Sequence, residues 1–256
     1  LTVAREIMRQ IPNERIVYFG DTARVPYGSK SKDNIIKFSR QIIRFLQTEN
    51  VKAIVIACNT ASALALDEMQ QEFDLPILGV VKPGAKVAVE TTANKRIGLI
   101  GTEANIRSGV YTRYIKSLDD EAKVFEKACP LFVPLVEEGW LHDDITLQVA
   151  SRYLEELKEK DIDTLIMGCT HYPLIRSTIR KVMGDKVNLV NPAYETAIEL
   201  KNLLERDNLA NKCDVDSPSS MYRFYVSDAE EKFKLFANSI LPFDITMTKQ
   251  INIENY

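Results

Sequence analysis

Two cysteines stand in matching surroundings. Ala53-Ile54-Val55-Ile56-Ala57-Cys58-Asn59-Thr60 and Thr164-Leu165-Ile166-Met167-Gly168-Cys169-Thr170-His171 share one order: an apolar run, a small residue, a cysteine, then polar residues. A free thiol titrates near ~8.5 and is mostly protonated at neutral pH. At the end of a strand and ahead of a helix N-terminus, the helix dipole favours the thiolate, so both cysteines are expected to have lowered pKa values and to serve as bases. Asn59, Thr60, Thr170 and His171, with free backbone N–H groups beside them, can hold the carboxylates of a small anion. Two like thiols facing each other suit a proton taken from one face of a carbon and returned to the opposite face, with the roles exchanged in reverse. The residues by themselves leave other chemistry open. Cys169 with His171 could form a thiol nucleophile of the hydrolase type, and Cys58, Cys169 and His171 could be zinc ligands. A pocket that binds without catalysing is a further reading. Most unpaired cysteines are small buried hydrophobes, which is the reading given to Cys129 and Cys213.

The elements that must position these thiols follow a repeated rhythm of short apolar run, turn and helical stretch. Arg15–Gly20, Ala53–Ala57, Ile77–Val81, Arg96–Ile100, Asp163–Met167 and Lys186–Val190 read as strands. Their hydrophobicity is continuous rather than alternating, which suits strands covered on both faces. Ser31 is placed to cap a helix whose apolar face is Ile35, Phe38, Ile42, Phe45 and Leu46. Further helices are expected from near Ala61, Pro83, Pro173 and Ala193. Met221–Val226 reads as a late strand after a polar stretch from Asn208 to Ser220, and Ser227-Asp228-Ala229-Glu230 as a capping box for a last helix. The fold class expected is α/β with mostly parallel sheets. The two cysteine units suggest two similar α/β domains, each offering a thiol at a strand's carboxyl end, where ligands of such sheets bind.

Composition narrows the function further. Hydrophobic residues make up 45% and charged residues 27% of 256, and 33 basic against 36 acidic side chains give a net charge of −3. That balance offers no reason to expect nucleic acid or an anionic membrane as partner, and no apolar run reaches spanning length. Four cysteines with no C-x-x-C pair fit neither a zinc ribbon nor a disulfide scaffold, and point to a cytoplasmic protein with reduced thiols. Trp140 is expected in the core or an interface, and His142 as a loop-packing residue. Tyr27 alone would be a turn residue after Pro26, and Asp21 a turn or cap carboxylate. Arg24 is either a carboxylate clamp or a salt-bridged loop arginine.

Longer motifs carry a resemblance. Gly20-Asp21-Thr22-Ala23-Arg24-Val25-Pro26-Tyr27-Gly28, Ala57-Cys58-Asn59-Thr60-Ala61-Ser62 and Gly168-Cys169-Thr170-His171-Tyr172-Pro173 resemble signatures of the cofactor-independent glutamate racemases. Cys129-Pro130-Leu131-Phe132-Val133-Pro134-Leu135-Val136-Glu137-Glu138-Gly139 and Tyr222-Arg223-Phe224-Tyr225-Val226-Ser227-Asp228 are similar to further family segments, in the family's order. The resemblance implies interconversion of L- and D-glutamate with no cofactor and no metal, supplying D-glutamate for peptidoglycan. It implies Cys58 and Cys169 as catalytic thiols, and Tyr27, Gly28, Asn59, Thr60, Thr170 and His171 as substrate contacts. His171 and Glu137 would assist the second thiol. It also implies two α/β domains facing across a cleft, residues 1–82 with 193–256 and residues 83–192, in a homodimer. Aspartate racemase is the near rival. The family's N-terminal Asp-Ser-Gly-Val-Gly-Gly loop has no counterpart here, although Leu1-Thr2-Val3 resembles the segment just after it; that loop and the first strand are expected to precede Leu1 in the natural protein. Lys82, where the family commonly has Glu, and Asn191-Pro192, where Asp-Ser is usual, are the other departures.

Overall fold

A computed structural model describes residues 1–212, 221–245 and 247–256 of the chain. Cys213, expected to be a buried hydrophobe, lies outside the described residues. Among the described residues the strands pair only in parallel, as continuous apolar runs suit. One sheet has the order β5 (Lys123–Ala128), β4 (Arg96–Gly101), β6 (Thr164–Gly168), β7 (Asn188–Val190). Every residue of β6 is buried, and Ile97, Leu99 and Ile100 of β4 are fully so. Helices α4 (Val81–Thr91), α5 (Glu103–Ser108), α6 (Val110–Leu118), α7 (Phe132–Glu137), α8 (Asp144–Lys158) and α9 (Arg176–Met183) accompany this sheet. The other strands form two smaller parallel sheets, β1 (Ile16–Gly20) with β8 (Tyr222–Val226) and β9 (Lys249–Gln250), and β2 (Ile54–Ile56) with β3 (Ile77–Gly79). Around them lie α1 (Thr2–Gln10), α2 (Lys32–Thr48), α3 (Asn59–Glu72), α10 (Pro192–Arg206) and α11 (Glu230–Asn238). The expected α/β class with parallel sheets is what forms.

Parallel pairing has one consequence that governs the site. Register aligns Gly101 with Gly168 and Gly20 with Val226. The residues next in the chain, Thr102 beside Cys169 and Asp21 beside Ser227, therefore emerge side by side at the carboxyl edges.

Local chemistry sets the helix starts. Ser31 accepts from the Asn34 N–H as expected, and Asn191 and Asp143 cap α10 and α8 in the same manner. Several boundaries differ from expectation. The third helix begins at Asn59 rather than near Ala61, because Cys58 is already its extended N-cap and the Ser62 N–H reaches the Cys58 carbonyl at 2.8 Å. The strand from Ile77 stops at Gly79, since Val80 is helical and α4 starts at Val81. After Cys169 a 3₁₀ turn (Tyr172–Ile175) precedes α9, so no α-helix starts near Pro173. The capping box at Ser227 does not form. Its hydroxyl is taken by Asp21 Oδ1 at 2.9 Å, and α11 starts from Ala229 in the left-handed conformation with no side-chain cap. β5 was not expected, because its Lys-Val-Phe-Glu-Lys-Ala run mixes charges into an edge strand. Trp140 is 45% exposed rather than in the core, beside Leu131, Leu135 and Ile145.

Leu165 sits on β6 with no exposure, packed among Ile100, Leu154 and Ile179. Leu165→Ala should lower the free energy of unfolding by about 2–5 kcal/mol in urea titration followed by circular dichroism. An unchanged midpoint would contradict the placement of β6 at the centre of that core.

Candidate active site

The carboxyl edges of the strands open on one cavity of about 780 Å³, whose lining includes Asp21, Tyr27, Gly28, Cys58, Asn59, Thr60, Thr102, Glu137, Cys169, Thr170 and His171. The space also runs between β1 and β2, past Tyr18 and Val55, as far as Leu200 and Leu204. The polar end is the part with chemistry to offer. It brings together all the residues singled out from the sequence as candidates.

Cys58 is the N-cap of α3, just past β2. The N–H groups of Ala61 and Thr60 and the Thr60 hydroxyl favour its thiolate, as a helix N-terminus should, but burial outweighs them and pushes the thiol up to about 11. The expected lowering at this cysteine is therefore corrected: the dipole acts, and desolvation is larger. Negative charge on Cys169 raises Cys58 as well. Cys169 follows β6 directly and is buried. Its Sγ lies 3.7 Å from His171 Nδ1, and His171 Nε2 lies 3.2 Å from Glu137 Oε1. Burial acts to lower the imidazole's pKa, but the Cys169 sulfur and the Glu137 carboxylate prevail and raise it to about 9. The same hydrogen bond from His171 holds the Glu137 carboxyl below its ordinary range, against burial. A thiol, an imidazole and a carboxylate thus form a chain along which a proton can be held or moved.

Polar groups beside the two cysteines are tied to residues distant in the chain. Asn59 Oδ1 accepts from the Tyr111 hydroxyl at 2.7 Å, and the Thr60 and Thr102 hydroxyls are 2.8 Å apart. The Thr2 hydroxyl donates to the Thr170 carbonyl at 3.0 Å. Gly28 approaches so closely that a Cβ there would lie 2.6 Å from the Thr102 Cβ. Tyr27 is buried, and its hydroxyl donates to Asp21 Oδ2. Burial and the Asp21 charge push that phenol far up, so it stays neutral. Arg24 is the salt-bridged arginine and not a clamp: Nε binds both Asp21 oxygens, Nη1 binds Gln41, and the guanidinium lies 4.1 Å over the Phe38 ring. Exposed His142 meets only the Ser177 hydroxyl, at 3.4 Å, away from the site. Among the described residues no three His, Cys, Asp or Glu side chains converge in a way that could hold a metal ion.

Thr102 and Tyr111 are the residues that the sequence reading missed. A signal existed for Thr102. Ile97-Gly98-Leu99-Ile100-Gly101-Thr102 repeats the order of apolar strand, glycine and polar residue seen at Cys169. Tyr111 carried no signal beyond its helical position.

Residues 2–198 match the family described as Asp/Glu/Hydantoin racemase. A glutamate racemase of Geobacter metallireducens is 42% identical over 254 residues, covering 99% of this chain and 93% of the relative. A crystal structure of a glutamate racemase isoform from Bacillus anthracis superposes with a TM-score of 0.93 at 37% identity, covering 98% of this chain and 92% of that one. The glutamate racemase of Francisella tularensis, solved in complex with D-glutamate, superposes with a TM-score of 0.92 at 36% identity, covering 100% and 94%.

The raised His171 pKa has a stability consequence with a definite sign. The cation is favoured by the fold, so its contribution is complete below the unfolded value of about 6.5 and is lost as pH rises through about 9. The Tm advantage of the protein over a His171→Gln variant should therefore shrink between pH 6 and pH 10, on the order of 3 °C for a chain of this size. A gap that stays constant across that range would show that no proton is held there by folding.

Proposed function

This chain belongs to the Asp/Glu/hydantoin racemase family, and from that premise we propose that it is a glutamate racemase in which Cys58 and Cys169 exchange the α-proton. An isomerase of this kind needs acid and base on opposite sides of one carbon. The observation that carries the reading is the presence of two thiols in one cavity, one after β2 and one after β6.

In one direction the thiolate of one cysteine takes the α-proton, breaking C–H and forming S–H. The thiol of the other then gives its proton to the opposite face of the carbanion, breaking S–H and forming C–H. The protein is left with the two thiols in exchanged states, ready for the reverse reaction. The step balances without oxidant, reductant or cofactor. The cysteines are not equivalent. Cys169 has an imidazole beside it, backed by the Glu137 carboxylate, whereas Cys58 has the N–H groups at the start of α3. The chain of Cys169, His171 and Glu137 alone would suit a thiol nucleophile; Cys58 across the cavity favours proton exchange instead.

Asn59, Thr60, Thr170 and His171 are read as substrate contacts. With its hydroxyl already given to Asp21, Tyr27 contributes with Gly28 through the backbone N–H groups that open their 3₁₀ turn, which have no partner within the turn. We read residues 1–82 with 193–256 and residues 83–192 as the two domains, the boundaries falling in the first turns of α4 and α10. The wider role we propose is supply of D-glutamate for peptidoglycan, in the cytoplasm, where a reducing medium preserves the two thiols. A homodimer is the proposed assembly, and the exposed apolar surface of Leu131, Trp140 and Ile145 is of the kind that a second copy covers.

Incubation with L-glutamate in D₂O, without added cofactor, should give α-deuterium exchange together with loss of optical purity. Cys58→Ala and Cys169→Ala should each lower the racemisation rate by about 10²–10⁴-fold. Exchange with aspartate and none with glutamate would reassign the substrate. A stable covalent adduct without α-exchange would point to the nucleophile instead.

A further inference from the structure

An asparagine amide has two unlike ends, an acceptor Oδ1 and a donor Nδ2, and its last torsion selects only weakly between them. At Asn59 the selection comes from across the cleft. Asn59 is the first residue of α3 and is buried. Tyr111, on α6, is 1% exposed, and its hydroxyl donates to Asn59 Oδ1 at 2.7 Å. Burial, with the charge of Cys169 adding to it, raises the Tyr111 pKa and keeps the phenol protonated. α4 crowds the hydroxyl so closely that a Cβ on Gly84 would lie 3.3 Å from it.

That hydroxyl has no other acceptor among the described residues. Were the Asn59 amide turned round, Tyr111 would receive an N–H and its own buried O–H would be left without a partner, which is the costly way to leave a polar group. Donation to Oδ1 is therefore the favoured state, and it leaves Nδ2 as the end available to the cavity that Asn59 lines. Nδ2 makes no hydrogen bond within the protein among the described residues.

We propose that Tyr111 is a positioning residue that locks the Asn59 amide with its NH₂ group toward the cavity, where it donates to a carboxylate oxygen of the substrate. The proposal rests on reading the cavity as a glutamate site. A reversed amide would set Oδ1, a partial negative charge, against that carboxylate. The Tyr111 hydroxyl, which touches no reacting atom, thus decides whether Asn59 attracts or repels an anion. Tyr111 packs against Ile97, Leu99 and Ile166 of the sheet that precedes Cys169, and Asn59 follows Cys58, so the lock also ties the substrate contact beside one thiol to the sheet of the other.

Tyr111→Phe keeps the ring in its slot and removes only the hydroxyl. In initial-rate assays with D-glutamate it should raise KM about tenfold, the loss expected for one misdirected hydrogen bond to a charged group, with kcat changed less than about twofold. In an Asn59→Ala background the same change should move KM by less than about twofold, because the group it orients is gone. An unchanged KM in Tyr111→Phe, or an equal loss in both backgrounds, would overturn the proposal. Should Tyr111→Phe fail to fold, Asn59→Asp decides. Its carboxylate still accepts from Tyr111 but cannot donate, so it should lose D-glutamate affinity as fully as Asn59→Ala. Wild-type affinity in Asn59→Asp would sink the idea. Failure of the wild-type protein to racemise or bind glutamate would instead defeat the functional reading, and shows before any variant is compared.

Discussion

Two groups that act on opposite faces of one small molecule cannot come from one strand end. A parallel sheet sends all its carboxyl ends to one edge, so residues that follow neighbouring strands emerge side by side rather than face to face. Cys169 with Thr102 and Ser227 with Asp21 are such neighbours, set by the alignment of Gly168 with Gly101 and of Val226 with Gly20. Opposition requires a second sheet whose edge is turned toward the first. In this chain one sheet carries Cys169 and another carries Cys58, and both thiols line one cavity. Most other features of the site follow from holding those two edges in place.

Burial is the counterweight. A cavity that buries a thiol also removes water from it, which disfavours the charged form. At Cys58 the start of α3 supplies N–H groups that oppose this penalty without overcoming it. Beside Cys169 stands an imidazole whose own charge is secured by Glu137. The surroundings of the two thiols thus differ, backbone N–H groups at one and a titratable side chain at the other. A near-repeat in sequence does not make the two sides electrostatically alike.

What could be read from the sequence divides along the same physical lines. Strands buried on both faces announce themselves by continuous apolar runs, and β6 was legible for that reason. The thiols, Asn59, Thr60, Thr170 and His171 were legible because each lies next to a strand end in the chain. β5 hid because an edge strand tolerates charge on its open side. The capping box at Ser227 was misread because the competing acceptor, Asp21, is 206 residues away in sequence and adjacent only through the pairing of β1 with β8. The lowered pKa expected at Cys58 failed likewise, since a dipole is local and can be inferred, whereas desolvation depends on everything packed around the sulfur. Thr102 and Tyr111 serve by reaching across the cleft, and nothing in their immediate sequence records what they reach.

Those cross-cleft contacts explain how small polar side chains can be both buried and available. A buried amide or hydroxyl without any partner costs about 1–3 kcal/mol, so a site cannot simply line its walls with them. Asn59 and Thr60 each commit one side-chain atom to a partner elsewhere in the fold, the Tyr111 hydroxyl and the Thr102 hydroxyl respectively. One end of each group is satisfied and its direction fixed, while the remaining polar atoms are left for whatever enters the cavity. Because hydrogen bonds are directional, fixing one end fixes the geometry offered at the other. The directions in which Asn59 and Thr60 present their remaining polar atoms therefore depend on Tyr111 and Thr102 as well as on their own places in α3.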